Sequence, residues 1–404
     1  ANTWRSMQWL WCLVIVAGVW AKHPCRRPML QFQQTLMPAG MDLPLENPGR
    51  AAGEDMLEAA SYFWERCSAM GARVWEVLSA RAADGLAVCM PSSCEHHEVR
   101  RQWSRLHQQN VSVLELGHWR QLRLDFAVAG FEKCGTSSLS HNLAKHPEVD
   151  FIPAVSDDPR INMDGQNAQD GHFFWLVGNR VLPPLELVQK FNAGTCCSGG
   201  ARAAGVSDAD LIGHARNGGG KRGERNPVYA FQRLIMKMVS LVPSAKIILL
   251  VCDPVRWLHS AYADTMNWYA GEDDDPPRPP LRNFALADFV AAPKPTALSN
   301  KWYNLSRRRA FFTFLAAGIA RIFGTSRVHM LHRDSLDPRY SDAAGIRDAY
   351  SRLSEFLDVR PFASDTVFER RNTRVQEAKS TSFPLCGDEK TLSVLKRYYR
   401  GEYA

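Results

Sequence analysis

The sequence predicts an α/β fold built on a parallel sheet with helices on both faces. Three observations predict it. Leu122, Leu124, Phe126, Val128 and Ala129 mark a short strand that ends in a glycine loop and passes directly into a helix-forming stretch. Residues 247–251 are continuously apolar, as a strand buried on both faces must be. Strand-length and helix-length segments alternate between and after these two anchors, which is the pattern of βα units.

Taken in order, the chain opens with a run at 7–21 (MQWLWCLVIVAGVWA) that is apolar throughout. It is shorter than the ~20 residues of an ordinary membrane span. Val19-Trp20-Ala21 resembles a small-x-small cleavage site, which suits a signal peptide. Lys22, Arg26 and Arg27 follow the run and only Arg5 precedes it, a bias that does not favour an anchor with a cytoplasmic N-terminus. A buried helix is the third reading. Residues 24–48 are rich in Pro, Gln and Met without periodicity and read as a stem or linker.

Met56, Ala60, Phe63, Trp64, Cys67, Val74 and Leu78 recur at helical spacing and predict one helix over 53–78. Residues 100–116 predict a second helix that enters a strand near Val111. Cys89 and Cys94 bracket a Met-Pro-Ser-Ser turn; they either pair in an oxidising compartment or are unrelated thiols. Asn110-Val-Ser and Asn304-Leu-Ser are glycosylation sequons, meaningful only on a secretory route.

The organising stretch follows. Leu122, Leu124, Phe126, Val128 and Ala129 form a strand ending at Gly130, and residues 131–135 form the loop. Thr136, Ser137 and Ser138 offer caps for a helix that stops before Pro147. Backbone N–H groups and the helix dipole make such a start a phosphate site. Lys133 adds a mobile cation. The order differs from the P-loop of nucleotide triphosphatases, which needs Gly-Lys-Ser/Thr at the loop's end. Here Lys133 precedes Cys134-Gly135-Thr136, which argues against a nucleotide kinase.

Further along, Asp170 and His172 lie in a Gly171-His172-Phe173-Phe174-Trp175 element after a polar stretch. Arg225 lies in Gly223-Glu224-Arg225-Asn226-Pro227-Val228-Tyr229. The second anchor, AKIILLVCDPVRWLHSAY at 245–262, carries Cys252, Asp253, Arg256, Trp257 and Ser260 just after its strand. Residues 272–280 (EDDDPPRPP) read as a solvated linker, and 300–320 as a helix. Residues 327–336 predict a strand and turn, and 343–357 a helix. Lys379 opens Lys379-Ser380-Thr381-Ser382-Phe383-Pro384, and 392–399 close with a helix.

Composition excludes rather than selects. The 404 residues are 45% hydrophobic and 23% charged, an ordinary globular balance. A net charge of +7 suits an anionic ligand. There is no zinc-finger spacing and no long basic run, so no nucleic-acid partner is expected. Ten cysteines without a C-x-x-C metal pair point to no metal site.

The order Gly130-x-x-Lys133-x-Gly135-Thr136-Ser137-Ser138, with His146-Pro147 after it, resembles the 5′-phosphosulfate loop of sulfotransferases that use 3′-phosphoadenosine 5′-phosphosulfate (PAPS). The resemblance is closest to Golgi carbohydrate enzymes of the heparan sulfate type. It covers 122 to about 403 and adds a P-loop-kinase-like sheet to the expected fold, with an N-terminal helical extension. The resemblance divides the chain into a signal peptide or anchor at 1–30, a stem and helical extension at 31–121 and a sulfotransferase domain at 122–404. It implies sulfuryl transfer by in-line displacement to a hydroxyl or amine of an anionic or neutral glycan, without a metal.

By the same resemblance, Gly130, Lys133, Cys134, Gly135, Thr136, Ser137 and Ser138 hold the 5′-phosphosulfate. Asp170 is the general base with His172 beside it, and Arg225 replaces a lysine that faces the sulfuryl group. Ser260 and Arg256 hold the 3′-phosphate, and Lys379 belongs to a loop closing over the cofactor. Two family arginines are missing: Cys252 and Trp257 stand in their places. The resemblance implies a Golgi membrane enzyme with a lumenal catalytic domain, held through the N-terminal segment; the alternative is a secreted protein. The missing arginines raise another alternative, a catalytically impaired glycan-binding relative.

Overall fold

The computed structural model describes residues 28–34, 50–79, 85–151, 181–193, 220–226, 229–231, 233–257 and 312–370, with Cys25, Phe174, Ser260, Ser393, Lys396, Arg397 and Arg400. In chain order the strands are β1 (Leu30–Gln34), β2 (Ala72–Ser79), β3 (Gly85–Pro91), β4 (Val111–Leu116), β5 (Phe126–Gly130), β6 (Val149–Phe151), β7 (Lys221–Arg225), β8 (Lys246–Val251) and β9 (Val328–His332). The α-helices are α1 (Arg50–Ala69), α2 (His96–His107), α3 (Thr136–Leu143), α4 (Leu185–Ala193), α5 (Arg233–Ser240), α6 (Phe312–Phe323) and α7 (Ala343–Leu357). The chain divides into two compact units, one of residues 1–124, 152–218 and 234–244, the other of 125–151, 219–233 and 245–404.

The first unit is built on an antiparallel sheet in the order β1-β3-β2-β4. Alternation sets its two faces. Trp75 and Val77 of β2, Val88 and Met90 of β3, and Val111 and Val113 of β4 share one core with Val99 and Trp103 of α2. The single helix expected over 53–78 ends at Ala69; Val74 and Leu78 lie on β2 instead. Their i, i+4 spacing suits a helix, but pairing with β3 and β4 on both sides decides for a strand. The helix expected over 100–116 divides into α2 and β4, with the strand beginning at Val111 as the sequence suggests.

Cys89 and Cys94 do not pair with each other. Cys89 bonds Cys67 of α1, and Cys94 bonds Cys25. The tight turn points the two residues to opposite sides of the sheet. Cys89 alternates with Val88 and Met90, whereas Cys94 joins the Trp75–Trp103 core.

The second unit holds the expected parallel α/β sheet, in the order β6-β7-β5-β8-β9 with every pair parallel. β5 is buried along its whole length, and the interior of β8 is buried too. The Phe126 ring lies over Gly223 of β7; a Cβ there would stand 2.0 Å from Phe126 Cζ, so only glycine fits this register. From β5 the chain moves to one side for β6 and β7, then crosses to the other for β8 and β9. The reversal falls at the carboxyl end of β5, where open parallel sheets hold their ligands. Of the earlier expectations, residues 7–21, 272–280, 300–311 and 379–384 lie outside the described residues.

Candidate active site

The site grows from the end of β5. The Phe131 N–H donates to Leu250 O of β8 at 2.9 Å, and the Cys134 N–H donates to Phe131 O at 3.2 Å, closing the loop as a turn. The Phe131 ring packs against Phe231 and Phe312, with centroids 5.3 and 4.7 Å away. Lys133 has φ 63° and Gly135 φ 101°, both in the left-handed region. A glycine adopts that region freely; a lysine does so at a cost of about 1 kcal/mol and stays there only where its neighbours hold it.

Two neighbours do. Cys134 is disulfide-bonded to Cys252, just beyond β8, with Cα atoms 5.3 Å apart. On the other side of Lys133, the indole Nε1–H of Trp257 donates to Glu132 O at 2.6 Å. Trp257 is buried, sits edge-on to Phe312 and opens a helix whose Trp257 N–H donates to Asp253 O at 2.8 Å. The positions expected to carry arginines therefore carry residues that grip the loop after β5 on either side of its lysine.

The helix start differs from the sequence reading in one respect. Gly135 is the N-cap of α3 and makes no side-chain cap, while Thr136, Ser137 and Ser138 occupy the first turn. The left-handed φ of Gly135 sets the cap, so no side-chain oxygen is needed there. Thr136 is buried, and Ser137 and Ser138 are half-buried. The far end of α3 is fixed by Asn142, whose Nδ2 donates to Tyr350 OH of α7 and to Glu369 O, both at 2.9 Å. The Tyr350 ring stacks on Phe368 with centroids 4.0 Å apart. His146 is buried, with Nε2 2.8 Å from Arg360 O.

Arg225 ends β7, paired in register with Val128 and buried at 2% exposure. Glu224 beside it is also buried and accepts a hydrogen bond from Tyr229 OH at 2.9 Å. The Asn226 N–H donates to Val128 O at 3.0 Å, which carries the β5–β7 contact one residue past Arg225. Arg256 is exposed; its N–H donates to Asp253 Oδ1 at 2.8 Å, and its guanidinium lies 4.8 Å from the Tyr340 ring centroid. Ser260 is helical and half-buried. The sheet thus brings Gly130, Lys133, Arg225 and Cys252 to the carboxyl ends of β5, β7 and β8. Asp170, His172 and Lys379 lie outside the described residues.

A basic cluster at the end of β9 adds three arginines that the sequence reading missed to Arg256, which it named. The residues are Arg333, Arg339 and Arg370, gathered about Asp337, and Arg256, near Asp334. The fork of Arg339 donates to Asp337 through Nε at 3.1 Å and Nη2 at 2.7 Å, which holds the Asp337 carboxyl down at about 2. Burial, then the Arg370 guanidinium, lowers the pKa of Arg333 below the ordinary arginine value. The available signal was positional: Arg333 is the first residue after a strand that neighbours β8.

No protein-family model matches the chain, and no curated protein sequence does. Among solved structures, a sulfotransferase from Alicyclobacillus acidocaldarius is 21% identical, with 61% of this chain and 86% of that chain covered at a TM-score of 0.38. The sulfotransferase domain of the curacin biosynthetic pathway is 17% identical, covering 60% and 76%, at 0.32. A sulfotransferase from Mycobacterium avium is 13% identical, covering 60% and 65%, at 0.30.

Proposed function

We propose that this chain is a PAPS-dependent sulfotransferase acting on a hydroxyl or amine of a glycan. One observation carries the reading. A loop of the order Gly130-x-x-Lys133-x-Gly135-Thr136-Ser137 stands at the carboxyl end of the central strand, at the sheet's topological reversal, with its lysine held in place from both sides. The loop suits a 5′-phosphosulfate: Gly135 presents no Cβ, and α3 begins there with its amides and its dipole directed at an anion. PAPS, when bound, supplies an activated sulfuryl group with a phosphate leaving group.

The chain's own residues position and stabilise. Lys133 sits where a cation neutralises charge growing on the bridging oxygen, and Thr136, Ser137 and Ser138 donate to the 5′-phosphate. Arg225, at the end of the adjacent strand, is assigned to the sulfuryl oxygens. Its burial in a water-poor setting strengthens any charge it meets. Asp170, with His172, is assigned the acceptor proton. The disulfides Cys25–Cys94, Cys67–Cys89 and Cys134–Cys252 support synthesis on an oxidising, secretory route, and hence a lumenal site of action. Among the described residues no helix is long and apolar enough to cross a membrane.

The first test is calorimetry of the full chain with 3′-phosphoadenosine 5′-phosphate beside ATP-magnesium. Binding of the bisphosphate alone supports the reading, and preference for ATP overturns it in favour of a nucleotide kinase. Lys133→Ala is expected to lower sulfuryl transfer at least ~100-fold, the scale of losing one charge-stabilising donor, with an unchanged melting temperature. Cys252 and Trp257 favour a second reading, a glycan-binding relative without catalysis. It predicts binding of sulfated oligosaccharide with no affinity for the bisphosphate.

A further inference from the structure

We propose that Arg333, backed by Arg256, forms a phosphate-binding site beside the Lys133 loop and takes the ligand's second phosphate, the 3′-phosphate of PAPS. The inference rests on the sulfotransferase reading above and supplies the cation that Cys252 and Trp257 lack. Cys252 is committed to its disulfide and Trp257 to the Glu132 carbonyl, so neither can meet an anion.

Position argues first. β9 neighbours β8, and Arg333 follows β9 directly, so it emerges at the sheet end that holds the loop after β5. A Cβ placed on Gly135 would lie 4.0 Å from Arg333 Cγ. The methylene stem of Arg333 therefore runs against the glycine of the phosphate loop. Arg256 approaches the same place from the start of the helix after β8, its Nη1 3.9 Å from Asp334 Oδ1.

Charge argues second. Arg256, Arg333, Arg339 and Arg370 face Asp334 and Asp337, four positive charges less two negative, an excess of two. Asp337 is already engaged by the fork of Arg339, and Arg333 comes only within 4.0 Å of it, outside hydrogen-bond reach. Arg339 and Arg370 thus neutralise a buried carboxylate, while Arg333 and Arg256 keep their forks for another acceptor. A terminal phosphate carries about −1.5 to −2 at neutral pH and three acceptor oxygens, which matches that excess and those forks.

The experiment is calorimetry of the full chain with 3′-phosphoadenosine 5′-phosphate and with adenosine 5′-phosphate, at one fixed ionic strength. Wild type is expected to favour the bisphosphate at least tenfold. Arg333→Gln is expected to erase most of that preference and leave adenosine 5′-phosphate affinity within twofold. Arg333→Lys, which keeps the stem against Gly135, is expected to fall between them. A full preference in Arg333→Gln overturns the proposal and leaves the sulfotransferase reading standing. Equal loss for both ligands, with a melting temperature lowered in Arg333→Gln and kept in Arg333→Lys, assigns Arg333 to packing and also overturns it. Wild type that binds neither nucleotide removes the sulfotransferase reading itself.

Discussion

In the antiparallel unit, Cys67–Cys89 ties α1 to one face of the sheet and Cys25–Cys94 fastens the leading segment beside the other face's core. In the parallel unit, Cys134–Cys252 joins the loop after β5 to the residue after β8. Cys25–Cys94 reinforces packing that Trp75, Trp103 and their neighbours already define, and Cys67–Cys89 holds α1 on the other face. The third bridge spans the ends of a strand pair that is already buried and hydrogen-bonded. What it fixes is the loop that carries Lys133. The same covalent bond therefore serves the core in one unit and the site in the other.

The largest expected effect tests that division. Chain-closure entropy assigns about 5 kcal/mol to Cys134–Cys252, with a separation of 118 residues, and about 3 kcal/mol to Cys67–Cys89, with 22. Replacing each pair by serines should lower denaturant stability in that order. Only the Cys134→Ser, Cys252→Ser variant should also weaken bisphosphate binding in calorimetry. Equal nucleotide affinity in both variants would break the comparison.

A second effect sharpens it through pH. His118 of the antiparallel unit is fully buried, with Nε2 3.1 Å from Ser61 Oγ and Nδ1 accepting from the Arg120 N–H. Burial, then the Arg120 charge, lowers it from 6.5 to about 4. Because the unfolded chain takes the proton first, this stability is present above pH 6.5 and is lost as pH falls toward 4. The loss is on the order of 3 kcal/mol. In the parallel unit Asp337 is held at about 2, so its contribution is lost only between pH 3.8 and 2. Thermal denaturation followed from pH 7 to pH 4 should show a fall that His118→Gln flattens. A parallel fall in the variant would sink the assignment.

The smallest effect concerns Trp257. Trp257→Phe keeps the ring against Phe312 and removes the hydrogen bond to Glu132 O. It should cost about 1 kcal/mol of stability. If the bond positions Lys133, the turnover rate should fall several-fold with nucleotide affinity little changed. A rate equal to wild type would leave Trp257 a packing residue only.

The parallel sheet and the glycine turn leading into α3 were legible in the chain, because both signals are local. The continuous apolar run at 247–251 reads as a buried strand from its own residues, and the strand expected from Leu122 is present from Phe126 to Gly130. The late strand β9 and α7 were legible for the same reason. Tertiary structure alone decided the rest. Val74 and Leu78 fit a helix as well as a strand until β3 and β4 pair on either side of β2. Cys134 and Cys252 meet because β5 and β8 are neighbours, which no spacing announces across 118 residues. Arg333 is one arginine among many in the sequence, and only the adjacency of β8 and β9 brings its stem against Gly135. Side-chain chemistry is written in the chain; which side chains share a sheet end depends on strand order, and strand order is set by long-range packing.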